Sequence, residues 1–386
     1  MKKTIIYFDN AATSWPKPPE TIAAMQNYLQ NVGSSPGRSG HRLSIEAARI
    51  VFETREKLAQ LFNVPDPLSI ILTRNATEGL NIAIFGFLKS GDHVITSGME
   101  HNSMMRPLRA VEARGVDITV VPCASDGLID PGNILKAIKK NTKAIVITNA
   151  SNVTGTVMPI TEIGKIAREN DLVLCVDAAQ TAGCYPIDVE AMNIDLLAFT
   201  GHKALFGPSG TGGLYIREGL EKRIEPICVG GTGSRSEWEE QPHFMPDRYE
   251  SGTPNTIGIA GLRTGVEFIL SESISKIKVR EEKLVQMFID GVKDLPGIIL
   301  YGQRSVKQRT PAVSFNFAGK DPAAVAMELD EQFGVMCRSG LHCAPAAHKT
   351  IGTYPTGTIR FSFSYFNTEE QIISSIEALK RISQSL

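Results

Sequence analysis

Polar side chains stand after several of the short apolar runs in the middle of the chain. Asp177 comes directly after one run, His202 and Lys203 follow the next, and Asn152 and His101 follow two earlier ones. In an open α/β sheet, ligands bind beyond the carboxyl ends of the strands. We therefore expect these side chains to lie in one site, where an amine, a carboxylate and an imidazole would act on a bound organic group.

The combination of an amine and a carboxylate predicts a cofactor that is bound covalently. Enzymes that use pyridoxal phosphate (PLP) need a lysine for its aldehyde, an acid for its pyridine nitrogen and donors for its phosphate. Lys203 and Asp177 would supply the first two, and the amides of a helix that begins at Ala76 and Thr77 would supply the third. Each charged residue alone would most often be a surface charge, so the prediction rests on the joint pattern.

Seven short apolar runs alternate with helix-like segments, and this alternation predicts an α/β fold with a mostly parallel sheet. The runs span residues 70–72, 94–95, 118–121, 144–147, 172–176, 196–199 and 214–216. Because they are continuously apolar, we expect strands that are buried on both faces. Asn75 and Glu78 form a capping pattern for one helix, and residues 42–62 have the periodicity of another.

The residue pattern of the chain changes near Pro254, where we place a domain boundary. A stretch rich in turn residues, 230–256, precedes a helical run that continues to about residue 295. The remaining tail has apolar runs at 312–317 and 358–363 and an amphipathic pattern at 369–382. No internal repeat interrupts this organisation.

Composition excludes several classes of partner. The 386 residues carry a formal net charge of -1, which gives no bulk attraction to nucleic acid or to an anionic membrane. Neither a secretory signal nor an apolar stretch of the roughly 18 residues needed to span a bilayer is visible, which predicts a soluble, cytoplasmic protein. The six cysteines form no CxxC pair, so we predict neither a metal site nor a disulfide framework. The glycine-rich run 207–213 lacks the Lys-Ser/Thr ending of a nucleotide loop, and nucleotide binding is not predicted.

Six motifs in order resemble those of the cysteine desulfurase branch of the class V aminotransferases. They are Tyr7-Phe8-Asp9-Asn10-Ala11-Ala12-Thr13, Asn75-Ala76-Thr77-Glu78-Gly79-Leu80-Asn81, Glu100-His101-Asn102-Ser103, Val176-Asp177-Ala178-Ala179-Gln180, Thr200-Gly201-His202-Lys203 and Arg248-Tyr249-Glu250-Ser251-Gly252-Thr253-Pro254-Asn255. The resemblance covers nearly the whole chain. It implies PLP fold type I, with a large domain built on a seven-stranded sheet, a smaller α+β domain and a homodimer. On that pattern, residues 15–255 would form the large PLP-binding domain, and residues 1–14 and 256–386 the small one.

The resemblance also implies roles for residues around the cofactor. Lys203 would hold it, Asp177 would pair with the pyridine nitrogen, and His101 would stack on the ring and belong to the catalytic set. Gln180 would contact the phenolic oxygen, and Asn152 the ring or the substrate. The phosphate would be bound by Ala76, Thr77, Thr200 and His202, and by Gly252 and Thr253 of the neighbouring subunit, so that the active sites would be shared across the dimer.

One loop distinguishes sulfur transfer from the other reactions of PLP enzymes. The segment Arg338-Ser339-Gly340-Leu341-His342-Cys343-Ala344-Pro345 resembles the short active-site loop of group II desulfurases, in which the cysteine accepts sulfur. A thiolate is the nucleophile, and a cation such as Arg338 or protonated His342 would favour its formation at Cys343. Cys337 follows an apolar pair and is expected to pack inside, with a resolving thiol as the alternative.

Substrate contacts are predicted on the same pattern. Arg360 occupies the place of the family's carboxylate-binding arginine, and its planar fork suits that role. Arg338 and Asn152 are further candidates, and Arg38 and His41 would lie near the entrance.

The predicted reaction converts L-cysteine to L-alanine, leaves a persulfide on Cys343 and passes the sulfur to an acceptor protein. A selenocysteine lyase is the nearest alternative, because cleavage of L-selenocysteine does not require Cys343. A PLP aminotransferase or another C–S lyase is more remote. A non-catalytic binding protein is the most distant option, since Lys203, Asp177 and His101 are all present.

Overall fold

The computed structural model describes residues 5–37, 39–235, 237 and 239–384. In chain order, the strands are β1 (Ile6–Tyr7), β2 (Ile70–Thr73), β3 (His93–Ser97), β4 (Asp117–Val121), β5 (Thr142–Thr148), β6 (Val173–Asp177), β7 (Leu196–Thr200), β8 (Gly212–Ile216), β9 (Ile298–Tyr301), β10 (Ala312–Phe317), β11 (Val335–Met336), β12 (Arg338–Gly340) and β13 (Thr358–Ser362). The α-helices are α1 (Pro19–Asn27), α2 (Arg42–Phe62), α3 (Ala76–Phe87), α4 (Asn102–Glu112), α5 (Pro131–Lys136), α6 (Ile160–Glu169), α7 (Thr256–Glu272), α8 (Ile274–Val292), α9 (Pro322–Phe333), α10 (Pro345–Thr350) and α11 (Glu369–Gln384).

The seven predicted runs form one sheet with the order β2-β8-β7-β6-β5-β3-β4. The strands from β7 to β4 pair in parallel, whereas β8 lies antiparallel between β2 and β7. The mostly parallel α/β fold is therefore confirmed. Because β5, β6 and β7 are neighbours that run in the same direction, the loops that follow them leave the sheet at one edge.

The sheet is covered on both faces, as continuous apolar runs predict. Along β5, Ile145 and Ile147 belong to the core on one face, and Ala144 and Val146 belong to the core on the other. This alternation follows from the two-residue period of a strand. The edge strand β4 departs from the prediction, because it pairs with β3 alone and several of its side chains are exposed or half-buried.

The helix signals are also confirmed. The side chain of Asn75 accepts a hydrogen bond from the Glu78 amide at the start of α3, and α2 covers the whole periodic segment 42–62. The predicted long helical run is two helices, α7 and α8, which meet at Ser273. In the described part of the chain, no helix combines the length and the apolar character needed to span a bilayer.

A second, four-stranded antiparallel sheet with the order β12-β13-β10-β9 lies in the C-terminal part of the chain. Its core is aromatic, and the ring of Phe361 contacts those of Phe8, Phe288 and Phe315. Helix α7 comes before the strands of this second sheet in sequence but does not pack only with them. Its Leu262 belongs to the core of the large sheet. The division of the chain at residue 255 stays a prediction.

The N-terminal segment connects the two sheets. Strand β1 pairs in parallel with β11, and the amide of Ser362 in β13 donates to the carbonyl of Phe8 at 2.7 Å. A few residues later, the Ser14 amide donates to the carbonyl of His202 at 3.0 Å. Residues 6–14 therefore fix the small sheet against the loop that carries the predicted cofactor lysine.

The close approach of α6 to the segment before β7 allows no side chain at Gly164. A Cβ at this position would overlap the carbonyl oxygen of Met192. We expect Gly164→Ala to lower the free energy of unfolding by on the order of 2 kcal/mol, because forced overpacking outweighs the gain in helix propensity. Gly231→Ala is the control, since none of the described groups beyond its chain neighbours lies within 4 Å of that added atom. Equal urea midpoints for the two variants would contradict this reading of the packing.

Candidate active site

A cavity of about 300 Å³ lies beyond the carboxyl ends of β5, β6 and β7. Most of the residues predicted for the site line it, namely Ala76, Thr77, His101, Asn152, Asp177, Gln180, Thr200, His202, Lys203, Arg338 and Arg360. Because they come from loops after different strands and from both sheets, the fold is what brings them together. Among the side chains of the described residues, no cluster of three or more His, Cys, Asp or Glu could hold a metal ion.

Lys203 lies in the loop after β7, and its side chain is half-buried in the cavity. The Ser14 hydroxyl donates to its backbone carbonyl at 2.8 Å, which fixes the loop. Desolvation lowers the pKa of the Lys203 amine to about 8, although the nearby Asp177 carboxylate acts in the opposite direction. About a tenth of the amine is therefore neutral, and nucleophilic, at pH 7, and about half at pH 8.

Asp177 ends β6 and is buried. Its Oδ1 accepts from the Ala179 amide at 2.9 Å, and the Ser103 hydroxyl lies at 3.5 Å from Oδ2. Burial raises the pKa of the carboxyl group, whereas the Ala179 hydrogen bond and the Lys203 charge lower it. A buried acid with so few donors of its own is well placed to bind a cationic group of a ligand.

Glu100 is a second buried acid that the sequence did not indicate. Its two carboxyl oxygens accept from the Thr148 amide at 3.1 and 3.0 Å, and the Ser97 hydroxyl also donates to it. Complete burial raises its pKa to about 8. Being largely protonated at neutral pH, Glu100 adds little negative charge beside Asp177. Its only sequence signal was its place directly before His101.

Two histidines of the cavity are neutral. Burial, followed by the positive charge of Lys203, lowers the pKa of both His101 and His202 to about 4. The Nδ1 atom of His101 lies 2.8 Å from the Ser103 hydroxyl, which orients the ring. A neutral, oriented imidazole can stack on an aromatic ligand without adding charge to the cavity.

The cavity also contains polar atoms that suit an anionic ligand with a polar ring. The buried atoms Asn152 Oδ1, Thr200 Oγ1 and His202 Nδ1 have no hydrogen-bond partner among the described residues. Buried polar groups are nearly always paired, so a ligand is their natural partner. Ala76 and Thr77 add the amino end of α3, where free amides and the helix dipole favour a phosphate. The Gln180 amide also lines the cavity and donates to the carbonyl of Ala11 at 3.1 Å.

Arg360 is almost completely buried, which excludes the alternative of an exposed strand charge. Its Nη2 forms an ion pair of 2.7 Å with Asp9, and its Nη1 donates to the carbonyl of Asn152 at 3.0 Å. Arg338 is its direct partner across β12 and β13, so two guanidinium groups meet at one wall of the cavity. Like charges placed opposite each other on a sheet are unfavourable, and an anion between them would offset the repulsion.

The Cys343 thiol is exposed at the edge of a groove of about 410 Å³ that adjoins the cavity. Thr77, His101 and Ser103 line both spaces. Nη2 of Arg338 lies 3.4 Å from the sulfur, so the predicted neighbour of the thiol is in contact with it. Protonated His342 was the wrong candidate for this role, because burial lowers its pKa well below the usual value and the ring is neutral.

Some predicted residues lie elsewhere. Gly252 and Thr253 line a different groove, beside Arg74 and Cys228. His41 is exposed at the start of α2, where its Nδ1 accepts from the Ser44 amide at 3.3 Å, and it does not line the cavity. Arg38 lies outside the described residues.

Cys337 packs against the aromatic core of the second sheet, and burial raises its pKa to about 12. A thiol of this kind is inert at neutral pH. The packing interpretation is therefore favoured over a resolving thiol.

Comparison with known proteins gives a consistent result. Residues 6–374 match the family model for class V aminotransferases. The chain is 35% identical to a probable cysteine desulfurase of Methanothermobacter thermautotrophicus, over 98% of this chain and 94% of the relative, and 34% identical to one of Pyrococcus abyssi, over 100% and 96%.

Solved structures agree with the sequence relatives. The apo structure of a cysteine desulfurase from Thermococcus onnurineus superposes with a TM-score of 0.93 at 33% identity, over 99% of this chain and 95% of that one. The cysteine desulfurase CsdA of Escherichia coli gives a TM-score of 0.88 at 28% identity, over 98% and 95%.

The lowered pKa of Lys203 makes its reactivity testable without substrate. We expect acetylation of Lys203 by acetic anhydride, in protein stripped of small molecules, to rise with pH through a midpoint of about 8, whereas ordinary lysines titrate near 10.4. Asp177→Asn removes a negative charge that raises this pKa, so its midpoint should be lower still. Mass mapping of the Lys203 peptide measures both. A midpoint near 10 in the unaltered chain would contradict the desolvation argument.

Proposed function

The chain belongs to the cysteine desulfurase family of the class V aminotransferases, and from that premise we propose that it converts L-cysteine to L-alanine and transfers the sulfur to Cys343. The observation that carries the proposal is that Lys203, Asp177 and His101 line one cavity whose edge adjoins the exposed Cys343 thiol. An amine that can remove a proton and a thiol that can accept sulfur thus line adjoining spaces.

Pyridoxal phosphate is the cofactor that these residues fit. The polar atoms without partners, the amino end of α3 and the buried acid match its ring substituents, its phosphate and its ring nitrogen. When bound, PLP supplies an electron sink for negative charge at the substrate Cα. Lys203 would attach it, Asp177 would pair with the ring nitrogen, and Gln180 and Asn152 would contact the ring substituents. The phosphate would lie against Ala76, Thr77, Thr200 and His202.

The chain's own residues would handle the proton and the substrate carboxylate. The Lys203 amine has a pKa of about 8 and can accept the Cα proton near neutral pH, as a general base should. Arg360 would bind the carboxylate with the N–H groups that Asp9 and the Asn152 carbonyl leave free, which include the buried Nε that has no partner among the described residues. Neutral His101 would add no competing charge.

Sulfur transfer would then use Cys343. Its thiolate forms an S–S bond with the substrate sulfur, and the Cβ–S bond breaks with its electron pair left on carbon. Protonation of that carbon yields alanine, so L-cysteine and the Cys343 thiol become L-alanine and a Cys343 persulfide. Because this sulfur is exposed, an acceptor protein or a small thiol can reach it.

A homodimer would complete the site. Gly252 and Thr253 lie apart from the cavity of their own chain. We propose that they contact the cofactor phosphate of the neighbouring subunit, as the family motif implies. A monomeric form should then bind PLP poorly.

Replacement of Cys343 tests the reaction. We expect Cys343→Ala to bind PLP normally but to lose at least 100-fold in alanine formation from L-cysteine, because the other thiol near the cavity, Cys184, is buried and its pKa is raised well above the usual value. Cys123→Ala is the control, since that thiol is half-buried and lines neither the cavity nor the groove beside it. In the unaltered enzyme, mass mapping should find one added sulfur on the Cys343 peptide. Full cysteine turnover by Cys343→Ala would refute the persulfide mechanism and favour a lyase.

Replacement of Arg360 tests substrate binding. Lysine cannot reproduce the fork that serves both Asp9 and a carboxylate, so we expect Arg360→Lys to raise KM for L-cysteine about tenfold to hundredfold. This range corresponds to a charged hydrogen bond of roughly 1.5 to 3 kcal/mol. PLP absorbance checks that the cofactor site is intact, and steady-state kinetics give KM. An unchanged KM would remove Arg360 from the substrate site.

A further inference from the structure

The backbone of the Cys343 loop is held in an unusual conformation. His342 and Cys343 both have left-handed dihedral angles, with φ of 48° and 58°. Residues other than glycine adopt this region infrequently, and two in succession are rarer still. The loop therefore needs contacts with other parts of the chain to keep the thiol in place.

Those contacts come from residues around the cavity. The Nδ2 atom of Asn152 donates to the carbonyl of His342 at 2.7 Å, directly before Cys343. The amide of Asn102, next to His101, donates to the carbonyl of Cys343 at 2.9 Å. On the inner side, Nε2 of the His342 ring lies 3.1 Å from the Thr358 hydroxyl.

Asn152 differs from the other contacts because it connects three parts of the site, namely the Cys343 loop, the cavity and Arg360. Its Nδ2 is committed to the His342 carbonyl, so its Oδ1 is presented as an acceptor, and this buried atom has no partner among the described residues. The side chain lines the cavity. Its backbone carbonyl accepts from Nη1 of Arg360 at 3.0 Å.

We propose that Asn152 is a positioning residue that fixes the Cys343 thiol relative to whatever occupies the cavity. If the side-chain amide of Asn152 rotated by half a turn, its oxygen would face the carbonyl oxygen of His342 and the hydrogen bond would be lost. A ligand that donates to Oδ1 therefore stabilises the orientation that holds the loop. Occupancy of the cavity and the position of the sulfur acceptor are thereby linked. The effect of Asn152 on sulfur transfer rests on the proposed function, whereas its hydrogen bond to the Cys343 loop does not depend on that function.

Asn152→Asp tests the link, because aspartate keeps the size and the acceptor but loses the donor. We expect backbone amides of residues 338–344 in the PLP-loaded variant to exchange with deuterium roughly three to ten times faster than in the unaltered enzyme, as the loss of one hydrogen bond predicts. Formation of the Cys343 persulfide should slow by at least the same factor. The spectral change on addition of L-cysteine should be affected less.

Asn149→Asp is the matched control, because Asn149 lies in the same loop after β5. Asn149 also uses a buried amide as a donor, but to the Thr181 hydroxyl at 2.9 Å. Its loop exchange should equal that of the unaltered enzyme. The proposal is overturned if exchange of residues 338–344 is unchanged in Asn152→Asp, or if Asn149→Asp accelerates it equally.

If the added charge prevents Asn152→Asp from binding PLP, Asn152→Ala makes the same comparison without it. If the unaltered enzyme forms no persulfide, the proposed function fails, and loop exchange alone decides whether Asn152 holds the loop.

Discussion

The structure depends on charged groups being concentrated where three parallel strands end, away from water. Isolated buried charges are costly, so each must be paired, neutralised or matched by a ligand. Burial keeps Glu100, His101 and His202 largely neutral near pH 7. Beside them lie three basic side chains, Arg338, Arg360 and Lys203, and one acid, Asp177, while Asp9 pairs with Arg360. This balance of basic over acidic side chains is why carboxylate and phosphate groups are the ligands that fit the cavity.

Two distant parts of the chain create this balance. Asp9 lies in the segment after β1, and Arg360 lies in β13, yet they form an ion pair in the wall of the cavity. The same N-terminal segment reaches the Lys203 loop through Ser14. Because residues 6–14 touch both sheets, they set the distance between the arginines on one side and the lysine on the other. The small sheet thus contributes chemistry as well as stability.

The sequence predicted what depends on local pattern and missed what depends on packing. All seven strands of the large sheet follow from apolar runs, whereas β9, β11 and β12 are short or partly exposed and give no such signal. Lys203 and Asp177 could be predicted because strand ends converge in a parallel sheet. The pairing of Asp9 with a residue 351 positions away could not, and neither could the burial that makes His342 neutral. A protonation state depends on desolvation, which residue types alone do not determine.

The two reactive groups need opposite environments, and the architecture supplies both within a short distance. The amine of Lys203 requires partial shielding from water, because desolvation is what lowers its pKa. The thiol of Cys343 requires exposure, because sulfur that it accepts must leave for another molecule. A tight loop from the second sheet, with two left-handed residues, places the thiol at the edge of the cavity and not inside it. Such a backbone costs on the order of 1 kcal/mol per residue, which the hydrogen bonds from Asn152 and Asn102 offset. The exposure of the thiol is therefore a requirement of the reaction that the rest of the fold stabilises.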